Sequence, residues 1–214
     1  IRPSPDRIQP PCPYHFRSNE QRATSNESNK MNDRAPLIAR NSSLIAGRYC
    51  GGCSWQHLTY EAQLRAKREL VRETLERIGG LKGISVRPVL GMKEPWRYRN
   101  KVQQPVGWDG RRMISGFFAP GTHDILPIDD CLVQPELSVR IINRAKNLLE
   151  QHGLRAYDAQ RHQGWIRHLL VRTTRNNQAM LVFVTRSADF HQESKIVPTL
   201  LREFPELLGR HQNI

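Results

Sequence analysis

Only four residues of this 214-residue chain carry a thiol: Cys12, Cys50, Cys53 and Cys131. Cys50 and Cys53 bracket two glycines in a Cys-Gly-Gly-Cys turn, and Cys131 closes an Asp129-Asp130-Cys131 run. Four thiolates, two of them in a C-x2-C knuckle, match the ligand number of one soft metal centre. Structural zinc takes such a set, and so does an iron–sulfur cluster. The glycines are expected to let the chain fold tightly around a metal, in conformations that a Cβ would obstruct. Zinc sites commonly pair two knuckles, whereas Cys12 and Cys131 each stand alone, so spacing by itself leaves zinc and iron–sulfur equally open. A disulfide framework suits short secreted chains, and four cysteines in a chain of this length with no signal-peptide pattern fit it poorly. A thioredoxin-like redox pair at Cys50 and Cys53 would depend on a lowered thiol pKa. It would leave Cys12 and Cys131 without a role, and no strand–helix–strand pattern leads into it.

A second set of residues has the chemistry of polyanion binding. The chain holds 33 Lys and Arg against 20 Asp and Glu, a formal charge of +13. Such a balance favours RNA, DNA or an acidic surface as partner. No apolar run reaches the roughly 20 residues that span a bilayer. No long amphipathic helix joins a basic face to aromatic anchors, so nucleic acid outranks membrane. Arg97, Arg99 and Lys101 alternate along a predicted strand, which would set their cations on one face. Arg167, Arg172 and Arg175 fall on a later hairpin. Cations so placed hold phosphates without reading sequence. Trp96, Tyr98 and Phe118 have the rings to stack on unpaired bases, although Tyr98 and Phe118 are expected in the core before that. His57, His123 and His168 are expected to be structural or RNA-facing groups, because the four cysteines already complete a metal set.

The elements that must position these groups are legible in outline. Residues 1–11 are proline-rich and read as a linker or the tail of a preceding domain. Because Ile1 stands where a methionine would open a gene product, the natural N-terminus is expected upstream. Residues 17–48 are dominated by Asn, Ser, Arg and Glu and cannot bury enough apolar surface to offset their ordering entropy. They read as a disordered insertion inside a 12–58 cluster-binding segment, and 59–214 reads as a central domain. Within it, residues 59–78 predict a helix with Thr59 as N-cap, a mixed-charge solvated face, and Gly79-Gly80 at its end. Strands are predicted over 85–90, 98–106, 113–118 and 124–128, with Trp108-Asp109-Gly110 as a hairpin turn. A helix over 135–153, a hairpin of 166–174 with 179–185, and a helix over 190–204 complete an α+β domain with antiparallel strands, two to three helices and one core.

The order of motifs carries a family likeness. It runs Cys50-Gly51-Gly52-Cys53-Ser54-Trp55-Gln56-His57, then Trp96-Arg97-Tyr98-Arg99-Asn100-Lys101, then Gly116-Phe117-Phe118. It closes on Ile128-Asp129-Asp130-Cys131 and Ile166-Arg167-His168-Leu169-Leu170. The succession, over residues 10–185, resembles the RNA uracil-5-methyltransferases, and most of all their 23S ribosomal RNA branch with a 4Fe-4S cluster. The resemblance implies that Cys12, Cys50, Cys53 and Cys131 are the cluster ligands and that RNA, 23S ribosomal RNA in particular, is the partner. It implies S-adenosylmethionine as methyl donor, a cytoplasmic monomer, and a cluster loop packed on the central domain. The family sets its first cysteine a few residues before the CGGC turn, whereas here a long insertion intervenes. Loop-closure cost grows only logarithmically with length, so the insertion adds about 1–2 kcal/mol and leaves the site feasible.

Methylation at uracil C5 needs a nucleophile for C6, a methyl donor and a base for the C5 proton. The resemblance places the nucleophilic cysteine in a C-terminal Rossmann-like domain. Here no fifth cysteine exists, and Gly79-Gly80-Leu81-Lys82-Gly83 ends a helix without forming a nucleotide-binding fingerprint. The expectation is therefore a fragment that binds a cluster and RNA, lacks the methyltransferase domain, holds no catalytic or S-adenosylmethionine-binding residue, and is inactive alone. A radical S-adenosylmethionine enzyme would need C-x3-C-x2-C, which is absent. The rival from another class is a non-enzymatic, zinc-stabilised RNA-binding module.

Overall fold

The computed structural model describes residues 11, 12 and 50–214. The expectations for residues 1–10 and for the 17–48 insertion lie outside these residues. The described residues fall into two compact units: Gly52–Pro95 with Cys12 in one, Trp96–Ile214 with Cys50 and Gly51 in the other.

The first unit holds one helix, α1 (Tyr60–Arg77). Thr59 begins it as expected, its Oγ1 accepting from the Ala62 N–H at 3.3 Å, which satisfies one of the first-turn donors. The charged face is solvated: Arg72 pairs with Glu69 one turn back and with Glu76 at 2.7 Å one turn on. The apolar side is less covered than its spacing predicts. Only Ala62 is fully buried, while Leu70, Val71 and Ile78 are exposed. The strand expected over 85–90 does not form. That stretch has no regular structure; Arg68 Nε donates to the Val86 carbonyl at 2.7 Å, and just beyond it the Met92 N–H donates to Tyr60 Oη at 2.7 Å.

The second unit is a mixed six-stranded sheet with two helices on one face. Its elements are β1 (Lys101–Trp108), β2 (Met113–Phe118), β3 (Ile125–Pro127), α2 (Glu136–Gln151), β4 (Ile166–Thr173), β5 (Ala179–Thr185), α3 (Glu193–Glu203) and β6 (Leu207–Asn213). The order across the sheet is β3-β2-β1-β4-β5-β6. Every neighbouring pair is antiparallel except β5 and β6, which run parallel across the α3 crossover. The α+β class and the antiparallel hairpins agree with the sequence reading. The parallel edge strand β6 does not: Leu-Leu-Gly-Arg-His-Gln-Asn has little β-branched or alternating character, and it becomes a strand by pairing its backbone with β5.

Register assigns each strand a core face. Val102 and Val106 of β1, Leu169 and Val171 of β4, and Leu181 and Phe183 of β5 point one way and are almost fully buried. Against them pack Leu137, Ile141, Ile142, Ala145, Leu148 and Leu149 of α2, together with Ile196 and Leu200 of α3. The i, i+4, i+7/i+8 spacing of the α2 residues gives this stripe its width. The alternate residues face the other way. Lys101, Gln103 and Arg172 there are exposed, and His168, Leu170, Met180 and Val182 are half-buried.

Candidate nucleic-acid interface

The basic residues singled out in the sequence take three different situations. Arg97 and Arg99 do not share a strand face with Lys101, because β1 starts only at Lys101. Residue 97 lies in a bend with φ 53°, in the left-handed region that a side-chain-bearing residue seldom adopts. Its side chain is a clamp. Nη1 and Nη2 reach the two carboxylate oxygens of Asp130 at 2.7 and 3.0 Å. Nη1 also donates to the carbonyls of Cys131 at 2.8 Å and Gln134 at 3.1 Å. The backbone adds to this, with the Arg97 N–H on the Leu132 carbonyl and the Arg99 N–H on that of Val133. The guanidinium holds the Asp130 carboxyl below the usual carboxylate range, helped by the Cys131 N–H and opposed by burial. Arg97 therefore fixes the loop that carries Cys131.

Lys101 and Arg172 are brought together. They are direct partners across β1 and β4, so their side chains leave the same face, and both are exposed. Two cations opposed across a ladder repel each other, and a phosphate between them would remove that cost. Arg175 follows in the β4–β5 turn. Arg99 is half-buried beside the start of β1. Arg167 lies near the far end of β4, about 17 Å from Arg172 at the rise of a strand, and its guanidinium covers the Tyr157 ring at 4.2 Å. The expected basic surface is thus two groups at opposite ends of one strand.

The aromatic residues depart from expectation in a useful direction. Tyr98 and Phe118 are exposed, not core, and so is Trp96. Phe118 meets His123 edge-on at 5.9 Å. His168 sits on the same sheet face as Arg172, with Nδ1 buried and lacking a hydrogen-bond partner among the described residues. Burial first, and Arg167 second, hold its pKa below the ordinary imidazole value, so it stays neutral near pH 7. One platform was missed in the sequence: Trp108, read there only as a turn residue, is 58% exposed at the end of β1.

Cys12, Cys50, Cys53 and Cys131 are each half-buried. Among the described residues no group of three or more His, Cys, Asp or Glu side chains is found that could hold a metal ion. Gly51 is not in a positive-φ conformation; a Cβ there would lie 3.0 Å from Pro120 Cγ, so it is a neighbour's bulk that calls for a small residue. No described helix is long and apolar enough to cross a membrane.

No protein-family model matches the chain. It is 44% identical over 166 residues to an uncharacterized RNA methyltransferase of Bacillus cereus, covering 77% of this chain and 36% of that protein. To an uncharacterized RNA methyltransferase of Halalkalibacterium halodurans it is 34% identical over 215 residues, covering 100% of this chain and 40% of that protein. The chain thus spans well under half the length of these relatives. Among solved structures it is similar to the Pyrococcus abyssi tRNA (uracil-54, C5)-methyltransferase in complex with S-adenosyl-L-homocysteine. The TM-score is 0.54 at 26% identity, over 69% of this chain and 34% of that one. The described fold is accordingly one that occurs within RNA methyltransferases, including one that acts at uracil C5.

Proposed function

We propose that this chain is the RNA-engaging part of an S-adenosylmethionine-dependent RNA (uracil-C5)-methyltransferase, with 23S ribosomal RNA as substrate. The alignment with the Halalkalibacterium halodurans RNA methyltransferase over all of this chain supports the class of enzyme. The likeness to the Pyrococcus abyssi enzyme supports uracil C5 as the position. The ribosomal substrate rests on the motif order alone.

The observation that carries the RNA role is the Lys101–Arg172 pair. Two exposed cations held side by side by strand register make a phosphate site whose geometry the sheet pre-organises. Arg99 and Arg167 extend it, while Arg97 acts by positioning the 130–134 loop. Binding measured with a single-stranded segment of 23S ribosomal RNA should weaken steeply as salt rises. Affinity insensitive to salt would remove the proposal.

Methyl transfer by the whole protein needs a nucleophile and a donor site beyond the residues assigned here. The chain alone, incubated with S-adenosylmethionine and uridine-containing ribosomal RNA, should form no 5-methyluridine; product would overturn this half of the reading.

The 4Fe-4S cluster is proposed on Cys12, Cys50, Cys53 and Cys131 from their number, the CGGC knuckle and the motif order. Four thiolates complete the set such a cluster takes. Its role would be to hold these segments, since transfer of a methyl cation changes no oxidation state overall. Protein purified without oxygen should be brown, with iron and sulfide in equal amounts, and Cys53→Ala should be colourless. A colourless protein holding one zinc would favour the zinc-stabilised RNA-binding module instead.

A further inference from the structure

At the end of β1 remote from Lys101, Trp108 lines a cleft of about 470 Å³ whose other walls come from residues 155–164. This lies inside the range of roughly 300–1,000 Å³ usual for small-ligand sites. We propose that the cleft holds one unpaired base of single-stranded RNA, stacked on Trp108, with its flanking phosphates on Arg155 and Arg161. The inference rests on the RNA reading above and adds a second, base-contacting subsite to it.

The first ground is Trp108 itself. Tryptophan is among the most buried residues on average, yet this one is 58% exposed and lines a concave surface. A flat aromatic face beside cations is the arrangement by which single strands are held without sequence preference, because every base offers a π-face.

The second ground is that the facing wall is built and held in place. Asp158 and Gln163 bridge through their backbones, N–H to carbonyl in both directions at 2.7 and 3.3 Å. Asp158 Oδ1 accepts from the N–H groups of Gln160 and Arg161 at 2.8 and 3.1 Å, which closes the turn between them. Gly164 adopts φ +94°, and a Cβ there would lie 2.0 Å from the Ala156 carbonyl oxygen, so only glycine lets the two sides of the loop meet. The Trp165 N–H then donates to the Arg155 carbonyl at 2.8 Å, tying the Arg155 backbone to the start of β4. Arg155, Arg161 and Gln163 are consequently exposed on an ordered loop.

The third ground is charge. Asp158 Oδ2 lies 3.8 Å from Arg161 Nε and balances part of that guanidinium. Arg155 has no ion-pair partner among the described residues. The cleft thus offers an aromatic face, an unbalanced guanidinium for a phosphate, and the Gln163 amide and Asp158 carboxylate for the donors of a base edge. The adjoining rim is also basic, with Arg167 over Tyr157 at 4.2 Å and Arg186 Nη1 on the His162 carbonyl at 2.6 Å.

The test uses the full chain and a fluorescent 12-nucleotide oligouridine, alongside an oligomer with the same phosphates and abasic sugars. Trp108→Ala should weaken oligouridine binding roughly 5- to 100-fold, Trp108→Phe should recover most of it, and neither should alter binding of the abasic oligomer. Arg155→Ala should lower the salt slope by about one for both oligomers. Thermal melts check that each variant folds. Wild-type affinity for oligouridine in Trp108→Ala, with binding weakened in Arg172→Ala, would overturn the cleft and leave the sheet site standing. Equal loss on both oligomers would make Trp108 structural and overturn it too. If the unmodified chain binds neither oligomer, the RNA reading falls with it.

Discussion

Arg97 and Arg172 are the same residue type in the same kind of basic run, and the molecule uses them oppositely. Arg97 turns inward onto a carboxylate and two carbonyls and holds a loop. Arg172 stands on an exposed sheet face opposite another cation. The difference lies in what the backbone does at each place. At residue 97 the chain bends through positive φ toward the 130–134 loop. At residue 172 it is a regular strand whose register decides the neighbour. A guanidinium becomes a structural tie where acceptors converge on it and is left exposed where strand register sets another cation beside it.

The largest effect should come from Arg97→Ala. It removes the paired bonds to Asp130 and the Nη1 bonds to the Cys131 and Gln134 carbonyls, of which that of Cys131 keeps the Gln134 N–H, in a setting that is only partly buried. We expect a loss of about 2–3 kcal/mol, after allowing for exposure of Asp130. For a chain of this length that is a fall in melting temperature of roughly 5–10 °C. The salt slope of RNA binding should not change. A lower slope with an unchanged melting temperature would reverse the roles of the two arginines.

Acid should cancel the same tie. The Asp130 pKa is lowered in the folded state, so the unfolded state binds more protons as pH falls and stability falls with it. The contribution is fully present above the ordinary carboxylate value of 3.8 and disappears as pH drops through the lowered one. Unfolding free energies of the unmodified chain and Asp130→Asn should therefore differ at pH 6 and converge in that acid window. A difference that persists below it would mean Asp130 acts through something other than its charge.

Arg172→Ala should do the reverse of Arg97→Ala. The salt slope of RNA binding should drop by about one phosphate contact, with the melting temperature held. The smallest effect is expected from Lys101→Ala measured without RNA. Relief of the cross-strand repulsion should raise stability by a few tenths of a kcal/mol, visible as a small gain in urea midpoint. A loss of stability there would show that the pair is not repulsive and would weaken the phosphate-site argument.

Much of the second unit could be read from the sequence because its signals are local. The 113–118 and 179–185 strands match β2 and β5, the 135–153 helix contains α2, and Thr59 caps α1 as expected. Each rests on near-neighbour chemistry, such as alternation, helical spacing or a capping hydroxyl. The failures are non-local. The 85–90 stretch has strand-like residues, but Arg68 and Tyr60 meet its neighbourhood where a partner strand would be needed. Residues 207–213 lack strand-like residues and pair with β5 regardless. Of the candidate site, Lys101 and Arg172 were legible as cations but not as neighbours, and Trp108 was hidden in a turn motif.

Composition and motif order were enough to suggest a polyanionic partner, to indicate the class of fold and to single out the four thiols, because charge, periodicity and residue type are carried by the chain whatever its conformation. Which cation is left exposed beside another, which one ties a loop, and which aromatic ring is left open are properties of contacts between residues far apart in the chain. Arg97 meets Asp130, Lys101 meets Arg172 and Trp108 meets the 155–164 loop only after folding, and those meetings assign each side chain its work.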